Sequence, residues 1–403
     1  MGGRPSAVRV TGPLAVLAAG YRRELERLGY RPHPVCDQLR LMAHVSRWLE
    51  GCGLGLGELT PTRVEEFLAH RRVEGYVLWR STKAMVPMLD YLRGLGLVPT
   101  PPPPVAVSES EQLQEHYRAY LVQERGLAAG TIAGYLHVAS LFFAARAVDG
   151  ELRLDRLTAA EVTGFVLAEC ASRSVGSAKY VVCGLRSLLR YLYVAGHVDA
   201  RLDAAVPAAA GWRLTGVPVI VGRAEVARLL ASCDRRTTFG RRDYAVLVLL
   251  SRLGLRAGEV AALELADVDW RAGELIVRGK GRRSERLPLP ADVGEALAGW
   301  LRRGRPRCEA TTVFTRVRAP HQKLTTGGVS AIVRAACARA GLPAVHAHRL
   351  RHTAATEMLR AGASLPEVGQ VLRHASVLTT AIYAKVDHAR LRSLALPWPG
   401  ATS

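Results

Sequence analysis

Residues 273–290 read GELIVRGKGRRSERLPLP, and this stretch decides the fold class of the segment around it. Apolar and polar residues alternate on both sides of a glycine-flanked lysine, which predicts two antiparallel strands joined by a tight turn. The flanking sequence has the three- and four-residue spacing of helices, near 225–232 and 243–253 and again from Ala291. Further on, Gly362 is placed to end a helix and Ser364 to cap the next one. A mixed α/β domain with a small antiparallel sheet is therefore expected.

Two breaks divide the chain into three segments. The first is LVPTPPPPVA at 97–106, where four consecutive prolines favour an extended strut without backbone hydrogen bonds. The second break is rich in Ala, Pro and Gly and contains Pro207 and Pro218. The expected domains are 1–98, 107–202 and 223–390, with linkers at 99–106 and 203–222 and a tail at 391–403.

The first two segments resemble each other. LTPTRVEEF and LTAAEVTGF share Thr, Val and Phe at the same places, 98 residues apart. Matching tyrosines precede and follow these stretches in the same order: Tyr21 with Tyr117, and Tyr91 with Tyr191. Thr60 and Thr158 are in position to cap helices whose apolar residues recur every three or four residues. Two all-helical bundles related by duplication are expected, and a chance match of helical patterns is the alternative.

The charge of the chain favours a polyanionic partner. Lys and Arg number 55 against 35 Asp and Glu, a formal net charge of +20, and the pI is near 10.3. Nucleic acid is the first expectation, and a solvated basic surface without such a partner is the alternative. Seven cysteines without a C-x-x-C pair indicate neither a zinc ribbon nor a disulfide framework. Reduced thiols in a cytoplasmic protein are therefore expected. The apolar runs are far shorter than the roughly 18 residues of a membrane helix, so a soluble protein is expected.

Six residues of the third segment form a set that suits attack on a DNA phosphodiester: Arg256, Lys280, His348, Arg351, His374 and Tyr383. The phosphorane transition state carries extra negative charge, which fixed arginines such as Arg256 and Arg351 can bind. Lys280, between two glycines of the hairpin turn, is the candidate acid for a 5′-hydroxyl leaving group, because nearby cations lower a lysine pKa. Tyr383 is the candidate nucleophile. His348 is the candidate base, and His374 is a candidate hydrogen-bond donor to the phosphate.

Each of these residues also has a structural interpretation. The arginines fit a surface role because Arg is abundant in this chain, and Tyr383 fits ordinary helix packing. Lys280 lies in a basic run whose members are candidates for DNA phosphate contacts: Arg278, Arg282, Arg283 and Arg286. His348 and His352 are four residues apart, as metal ligands on a helix can be, but the glutamate of a metalloprotease motif is missing. No metal site is expected.

Taken in order, R-A-G-E inside a helix, a GKG hairpin, H-R-L-R-H, and L-R-H-A-S with a tyrosine nine residues after its histidine resemble the tyrosine recombinase or phage integrase family, including Xer-type recombinases. The resemblance covers roughly residues 220–390. It implies that the six residues above are catalytic and that Glu259 is the acidic residue that commonly follows the first arginine. It also implies the fold: a mainly α chain in which two SAM-like helical bundles precede an integrase-type catalytic domain with a small antiparallel sheet.

The same resemblance implies a function and partners. Family members cut and rejoin double-stranded DNA through a 3′-phosphotyrosine link without a cofactor or metal. They act as tetramers on paired sites, here as a homo-oligomer or together with related recombinases. An origin in a mobile element and a nucleoid-associated place in a bacterial cytoplasm are expected, without a membrane partner. The alternatives are DNA relaxation like that of a type IB topoisomerase, and a DNA-binding regulator that no longer cuts.

Residues 1–98 depart from a minimal recombinase, in which a core-binding bundle like the second segment and the catalytic domain form a clamp around DNA. A basic face on the first bundle predicts an additional DNA contact, formed by Arg22, Arg23, Arg40, Arg47, Arg71 and Arg72. Packing of this bundle against a neighbouring subunit is the alternative.

Overall fold

The structure is a computed structural model that describes residues 8–100, 108–148, 151–154, 156–208, 220–279, 284–373, 380 and 382–383. Several predicted features lie outside the described residues: the proline strut at 101–104, the hairpin turn with Lys280, Arg282 and Arg283, His374, and the tail at 391–403. None of the helices in the described ranges combines the length and the apolar character that crossing a bilayer requires.

The first bundle contains helices α1 (Ala18–Arg27), α2 (Pro32–Gly51), α3 (Pro61–Val73) and α4 (Thr82–Gly94). Two of these helices begin with proline, whose fixed φ suits the first helical turn. Thr60 caps α3 as expected, because its hydroxyl accepts a hydrogen bond from the Arg63 amide at 3.4 Å. The apolar faces of the helices meet in one core that includes Tyr21, Met42 and Leu89.

The second bundle contains α5 (Glu109–Gln123), α6 (Ala129–Arg146), the antiparallel pair β1 (Ala147–Val148) and β2 (Glu151–Leu152), α7 (Ala159–Cys170) and α8 (Val175–Val194). Thr158 caps α7 as expected: its hydroxyl accepts the Glu161 amide at 3.3 Å, and the Glu161 carboxylate accepts the Thr158 amide at 2.9 Å. A 3₁₀ turn follows at Leu202–Ala205, and Leu202 and Val206 are buried in this bundle's core. The bundle therefore extends to Val206, four residues into the stretch expected to be linker.

The two bundles place their matched tyrosines in the same way. Tyr21 of α1 contacts Tyr91 of α4 with ring centroids 5.3 Å apart and an angle of 35° between the rings. Tyr117 of α5 contacts Tyr191 of α8 at 5.2 Å and 37°. Each pair joins the first and fourth helices of its bundle, so the shared sequence positions have the same packing role. The structure therefore supports the duplication.

The C-terminal domain, described over 220–383 with the gaps given above, combines helices with a small sheet. Its elements are α9 (Arg223–Ala231), α10 (Thr238–Arg252), α11 (Ala257–Ala262), β3 (Val268–Asp269), β4 (Glu274–Arg278), β5 (Ser284–Pro288), α12 (Ala291–Arg303), α13 (Thr326–Arg339), α14 (Ala347–Arg360) and α15 (Leu365–Val371). The predicted hairpin is confirmed: β4 pairs antiparallel with β5, with Leu275 opposite Leu287, and β3 pairs with the other edge of β4. Gly362, at φ +97°, follows α14, and Ser364 caps α15, both as expected.

Helix α10 forms the centre of this domain. All residues from Ala245 to Leu250 are buried, and the helix packs against α12, α13 and α14. Trp300 of α12 is fully buried in the same core, and its indole N–H donates to the Val313 carbonyl at 2.9 Å. The indole N–H thus has a hydrogen-bond partner inside the core. Because α10 is packed on several sides, the turn that follows it has a fixed position.

The chain divides into two compact units. One is the second bundle with its flanks (Pro102–Thr215), and the other combines the first bundle with the C-terminal domain (Met1–Pro101 and Gly216–Ser403). Within the latter unit, Arg27 forms an ion pair with Glu309 at 2.5 Å, and the His321 amide donates to the Leu28 carbonyl at 3.3 Å. Gly29, at φ +84°, leaves no room for a side chain, because a Cβ there would lie 2.1 Å from the His321 ring. The turn after α1 therefore lies directly on the loop before α13.

Candidate active site

Arg256 is the N-cap of α11, which corrects the expectation that R-A-G-E lies inside a helix. Glu259 completes a capping box at this position. Its carboxylate accepts the Arg256 amide at 2.8 Å and the Arg256 Nη1 at 2.6 Å. The Arg256 side chain is 40% exposed, so its guanidinium can still meet a ligand from solvent.

Glu259 also pairs with a second arginine. Arg373 Nη2 lies 2.7 Å from Glu259 Oε2, and the two side chains are only 4% and 5% exposed. Burial alone would raise the pKa of Glu259, but the hydrogen bond from the Arg256 amide and the charge of Arg373 outweigh it, so the pKa lies below its usual value. Arg373 has a φ of +56°, which residues other than glycine rarely adopt. A buried ion pair thus holds a strained residue directly before His374.

Arg351 is almost fully buried, with 1% of its surface exposed. Its Nη1 donates to the Gly254 carbonyl at 2.5 Å, and its Nη2 donates to the Leu372 carbonyl. Burial and the charge of Arg256 lower the pKa of Arg351 to about 10, so the guanidinium is still protonated near neutral pH. The side chain therefore joins the turn after α10 to the residue after α15 and places a cation between them.

Gly254 permits this close approach. Its φ is +59°, and a Cβ at this position would lie 2.6 Å from Leu372 Cδ2 and 3.4 Å from the Cβ of Ala354. Glycine adopts this backbone conformation without strain and leaves the space that Leu372 fills. The conformation of the turn that leads to Arg256 thus depends on Gly254.

Tyr383 is buried, with 1% exposed, in a small apolar cluster with residues of α14 and α15. Its hydroxyl oxygen lies 2.7 Å from Nδ1 of His352. The His352 ring in turn lies edge-on to the His348 ring, with centroids 4.4 Å apart. Helix α14 therefore contributes His348, Arg351 and His352 to the site around the tyrosine.

The titratable groups at this site are shifted toward their neutral forms. Burial raises the pKa of Tyr383 to about 12, and the charge of Arg351 offsets this only in part. Burial, followed by the neighbouring His348 and Arg351, lowers the pKa of His352 to about 4. Loss of hydration and the charges of Arg351 and Arg256 also lower the pKa of His348. Near pH 7 the phenol is therefore protonated and both imidazoles are neutral.

Comparison with known proteins identifies the family of this chain. Residues 221–390 match the model of the phage integrase family. The chain is 42% identical to y4rA of Sinorhizobium fredii (strain NBRC 101917 / NGR234), a protein named as an integrase/recombinase, over 96% of this chain and 95% of y4rA. It is 30% identical to the tyrosine recombinase XerD of Listeria monocytogenes serovar 1/2a (strain ATCC BAA-679 / EGD-e), over 70% of this chain and 96% of XerD. The chain belongs to the tyrosine recombinase family.

Solved structures of recombinases have the same fold. The XerH site-specific recombinase in its post-cleavage complex with a palindromic difH substrate matches with a TM-score of 0.56 and 20% identity, over 71% of this chain and 83% of XerH. A lambda integrase tetramer bound to a Holliday junction matches with a TM-score of 0.52 and 18% identity, over 75% of this chain and 90% of the integrase. The protein is thus a tyrosine-type site-specific DNA recombinase. Since the y4rA match spans 96% of the chain, it includes most of the first bundle as well.

The structure describes two of the four arginines that we expected to contact DNA, Arg278 and Arg286. Both form ion pairs with acidic side chains. Arg278 Nη2 lies 2.7 Å from the carboxylate of Asp267, whose side chain is 1% exposed. Arg286 pairs with Glu274 on the neighbouring strand at 2.9 Å, and its side chain is 68% exposed. Moving Arg278 to a phosphate would leave a buried carboxylate uncompensated, which is costly. The ion pair with Asp267 gives Arg278 a structural role, and DNA contacts by Arg278 and Arg286 both stay predictions.

The basic face expected on the first bundle is smaller than the sequence indicated. Arg71 is 1% exposed; its guanidinium lies 4.0 Å from the centroid of the Tyr76 ring and donates to the Leu78 carbonyl. Three more arginines pair with acidic neighbours: Arg22 with Glu26, Arg40 with Asp37, and Arg72 with Glu65. Within the described ranges, Arg23, Arg47 and Arg71 of the six have no carboxylate within 4.0 Å, and of these three only Arg23 and Arg47 are exposed. The inclusion of Arg71 in this face was wrong, because the aromatic side chains around it were not apparent from helical spacing.

Two residues of the recombinase site were not predicted in the roles that they have. Arg373 meets Glu259 across 114 residues of sequence, so no local pattern could indicate the pair. His352 was considered only as a metal ligand beside His348. Its partner Tyr383 lies 31 residues further on. The four-residue spacing of the histidines was the one available signal, and it indicated a shared helix face without indicating its partner.

Proposed function

We propose that this recombinase cleaves and rejoins double-stranded DNA through a 3′-phosphotyrosine link at Tyr383. The observation that carries the proposal is the convergence of distant residues on α14. Arg351 of this helix reaches the turn that bears Arg256, and His352 of the same helix reaches the Tyr383 hydroxyl. A nucleophile, neutral histidines and guanidinium groups thus lie together, as phosphoryl transfer to a tyrosine requires.

The residues have distinct roles in the proposed reaction. The Tyr383 oxygen bonds to phosphorus, the bond to the 5′-oxygen breaks, and Arg256 and Arg351 stabilise the charge of the phosphorane. The phenol proton passes to His348, which is neutral and exposed. Lys280 gives a proton to the leaving 5′-oxygen, and His374 donates a hydrogen bond to the phosphate. Rejoining reverses each step, so the reaction conserves the energy of the broken bond.

Double-stranded DNA and further copies of the chain are the proposed partners. The net charge of +20 favours a polyanion, and the solved XerH structure holds its difH substrate. The lambda integrase tetramer on a Holliday junction supports a tetramer of this chain on two paired sites, alone or with related recombinases. Two duplexes present four strands, and one tyrosine for each strand requires four subunits. We also propose a mobile-element origin, because y4rA is named as an integrase, and a place in the bacterial cytoplasm at the nucleoid.

The domain roles follow the proposed chemistry. Residues 223–390 are the catalytic domain, and the second bundle is the core-binding domain that completes a clamp around DNA. The first bundle adds a DNA contact or a subunit contact on one flank.

The test of the nucleophile uses Tyr383→Phe, which loses only the phenolic oxygen. Duplexes selected from a random library with this variant supply a binding site, and nicked versions of that site trap the wild-type intermediate. We expect wild-type protein to form a DNA adduct that survives denaturation in excess EDTA, and Tyr383→Phe to bind equally well without forming it. The matched control is Tyr193→Phe, at an exposed tyrosine, which should behave as wild type. An adduct formed by Tyr383→Phe would exclude Tyr383 as the nucleophile.

The test of the general acid uses Lys280→Ala. Cleavage of a normal strand should be slow, and a substrate with a 5′-thiolate leaving group should restore most of the rate because it needs no proton. No restoration would mean that Lys280 binds phosphate only.

A further inference from the structure

The bond between His352 and Tyr383 is not needed by the chemistry proposed above. The Tyr383 hydroxyl lies 2.7 Å from His352 Nδ1, and the two rings are 5.5 Å apart at 59°. The tyrosine is 1% exposed and packs against Ala355, Leu359, Val368 and Leu372. A side chain so enclosed cannot bring its oxygen to a phosphate of bound DNA. The nucleophile is therefore in a resting position.

Both partners of this hydrogen bond are neutral near pH 7, since the pKa of Tyr383 is about 12 and that of His352 about 4. We assign the phenol as the donor and Nδ1 as the acceptor, which places the proton of the imidazole on Nε2. The pKa of His352 lies far below that of Tyr383, so proton transfer from the phenol to this ring is strongly unfavourable. His352 is thus too weak a base to activate Tyr383. Instead, a hydrogen bond to the neutral phenol opposes its ionisation.

The surroundings of His352 keep its ring neutral. Burial opposes a positive charge on the ring most strongly, and among the described residues His348, Arg351 and Arg349 oppose it as well. Arg351 is itself directed inward, with its guanidinium bonded to two backbone carbonyls. The nucleophile and one of the two proposed phosphate-binding arginines are thus both engaged with protein groups in the same structure.

We propose that His352 is a positioning residue that holds the Tyr383 hydroxyl protonated and buried until DNA is bound. This inference rests on the proposed role of Tyr383 as the nucleophile. Cleavage then requires the phenol to leave His352 and to lose its proton to another acceptor.

Two substitutions of His352, made in the full chain, distinguish the role of its acceptor nitrogen from the packing role of its ring. His352→Phe keeps a planar ring of similar size and removes the acceptor. His352→Asn keeps an acceptor oxygen close to the position of Nδ1. If the ring only fills space, the two variants should differ in stability but not in the reactivity of Tyr383.

The first measurement needs no DNA. Tetranitromethane nitrates accessible, ionised tyrosines, and mass spectrometry gives the rate for each one. The internal references are Tyr180, which is 42% exposed, and Tyr117, which is fully buried. We expect His352→Phe to nitrate Tyr383 about five- to tenfold faster than wild type, the change that loss of one ordinary hydrogen bond supports, with His352→Asn within about twofold. Equal Tyr383 rates in wild type and His352→Phe, with unchanged references, would overturn the proposal.

A second measurement avoids any substitution of His352. In protein labelled with ¹⁵N-histidine, the His352 Nδ1 signal should be that of a hydrogen-bonded, unprotonated nitrogen. It should shift to that of a nitrogen without this bond in Tyr383→Phe. A proton on Nδ1 in the wild-type protein would contradict the proposed direction of the bond.

The third measurement uses a nicked duplex with one binding site, on which a single subunit acts. His352→Phe should form the covalent adduct about five- to tenfold faster than wild type, and His352→Asn should not. Slower cleavage by His352→Phe at equal binding would show that His352 assists the reaction and would refute the holding role. The assignment of Tyr383 as the nucleophile is tested independently of the holding role. An adduct formed by Tyr383→Phe would refute that assignment, whereas the nitration result would still report on the bond between His352 and Tyr383.

Discussion

Replacing Glu259 with glutamine removes one negative charge from between two arginines and keeps the size of the side chain. Glu259 lies 2.6 Å from Arg256 and 2.7 Å from Arg373. The Arg256 side chain is 40% exposed, so water screens that pair, and its loss costs at most about 1 kcal/mol. Arg373 and Glu259 are both almost fully buried, and breaking such a pair from one side costs about 3–5 kcal/mol. Because glutamine keeps part of the hydrogen bonding, we expect a loss near 3 kcal/mol.

The direction of the pH dependence of stability follows from the pKa of Glu259. The pKa of Glu259 in the folded protein lies below its usual value, and the unfolded value is about 4.3. The charged carboxylate therefore contributes stability above about pH 4.3, and the contribution is lost as the pH falls through the folded pKa. The difference between wild type and Glu259→Gln should be complete at pH 7 and should shrink as the pH falls below about 4.

The assay is denaturant and thermal unfolding at pH 7 and below pH 4, followed by adduct formation on the nicked duplex at pH 7. The midpoint temperature should fall by roughly 6–12 °C, since 1 kcal/mol corresponds to about 2–4 °C in a domain of this size. The control is Glu274→Gln, which breaks a pair with the largely exposed Arg286 and should cost less than about 1 kcal/mol. Adduct formation should fall about a hundredfold in Glu259→Gln, because Arg256 loses its fixed orientation. Equal stability losses in the two variants would refute the assignment of the buried pair.

Three further changes test other parts of the molecule. Gly254→Ala combines a positive φ with a methyl group 2.6 Å from a leucine side chain, so it should cost about 2–4 kcal/mol and slow adduct formation on the nicked duplex. Thr158→Ala removes a helix cap and should lower the unfolding free energy of the second bundle by about 1 kcal/mol without changing cleavage at saturating DNA. Deletion of residues 1–104 should reduce the slope of log K against log salt by about 2, because Arg23 and Arg47 are the two exposed arginines of the expected basic face without acidic partners and each phosphate contact contributes about 0.9. An unchanged slope with loss of the paired-site complex would assign the first bundle to assembly.

Local features of the fold could be predicted from the sequence because local rules determine them. The hairpin follows from the alternation of apolar and polar residues around two glycines, and β4 and β5 lie where that alternation places them. Thr60, Thr158 and Ser364 cap helices because their hydroxyls can accept the free amides of a first turn, whatever the surrounding fold. The duplication was visible because the same packing positions keep the same residue types.

Features that depend on tertiary contacts could not be predicted. Arg278 and Arg71 both look like surface arginines in sequence, yet one neutralises buried Asp267 and the other lies against an aromatic ring. Arg373 occupies a left-handed backbone conformation that no neighbouring residue signals. Its strain is tolerated because the buried pair with Glu259 stabilises it, and that partner is remote in sequence.

Leu372, Arg373 and Tyr383 lie in one short stretch of the chain, and each is engaged with a different part of the site. The Leu372 carbonyl accepts from Arg351, Arg373 pairs with the carboxylate that orients Arg256, and Tyr383 bonds His352. A displacement of these three residues would therefore change the contacts of both arginines and of the nucleophile together. Releasing these groups in the absence of DNA leaves buried donors unpaired, at about 1–3 kcal/mol each, whereas a seated phosphate offers oxygens that accept from the same guanidinium groups. DNA that binds the displaced form better shifts the equilibrium toward it by this difference in affinity, so we infer that site assembly and the activation of Tyr383 are linked through the contacts of Leu372, Arg373 and Tyr383.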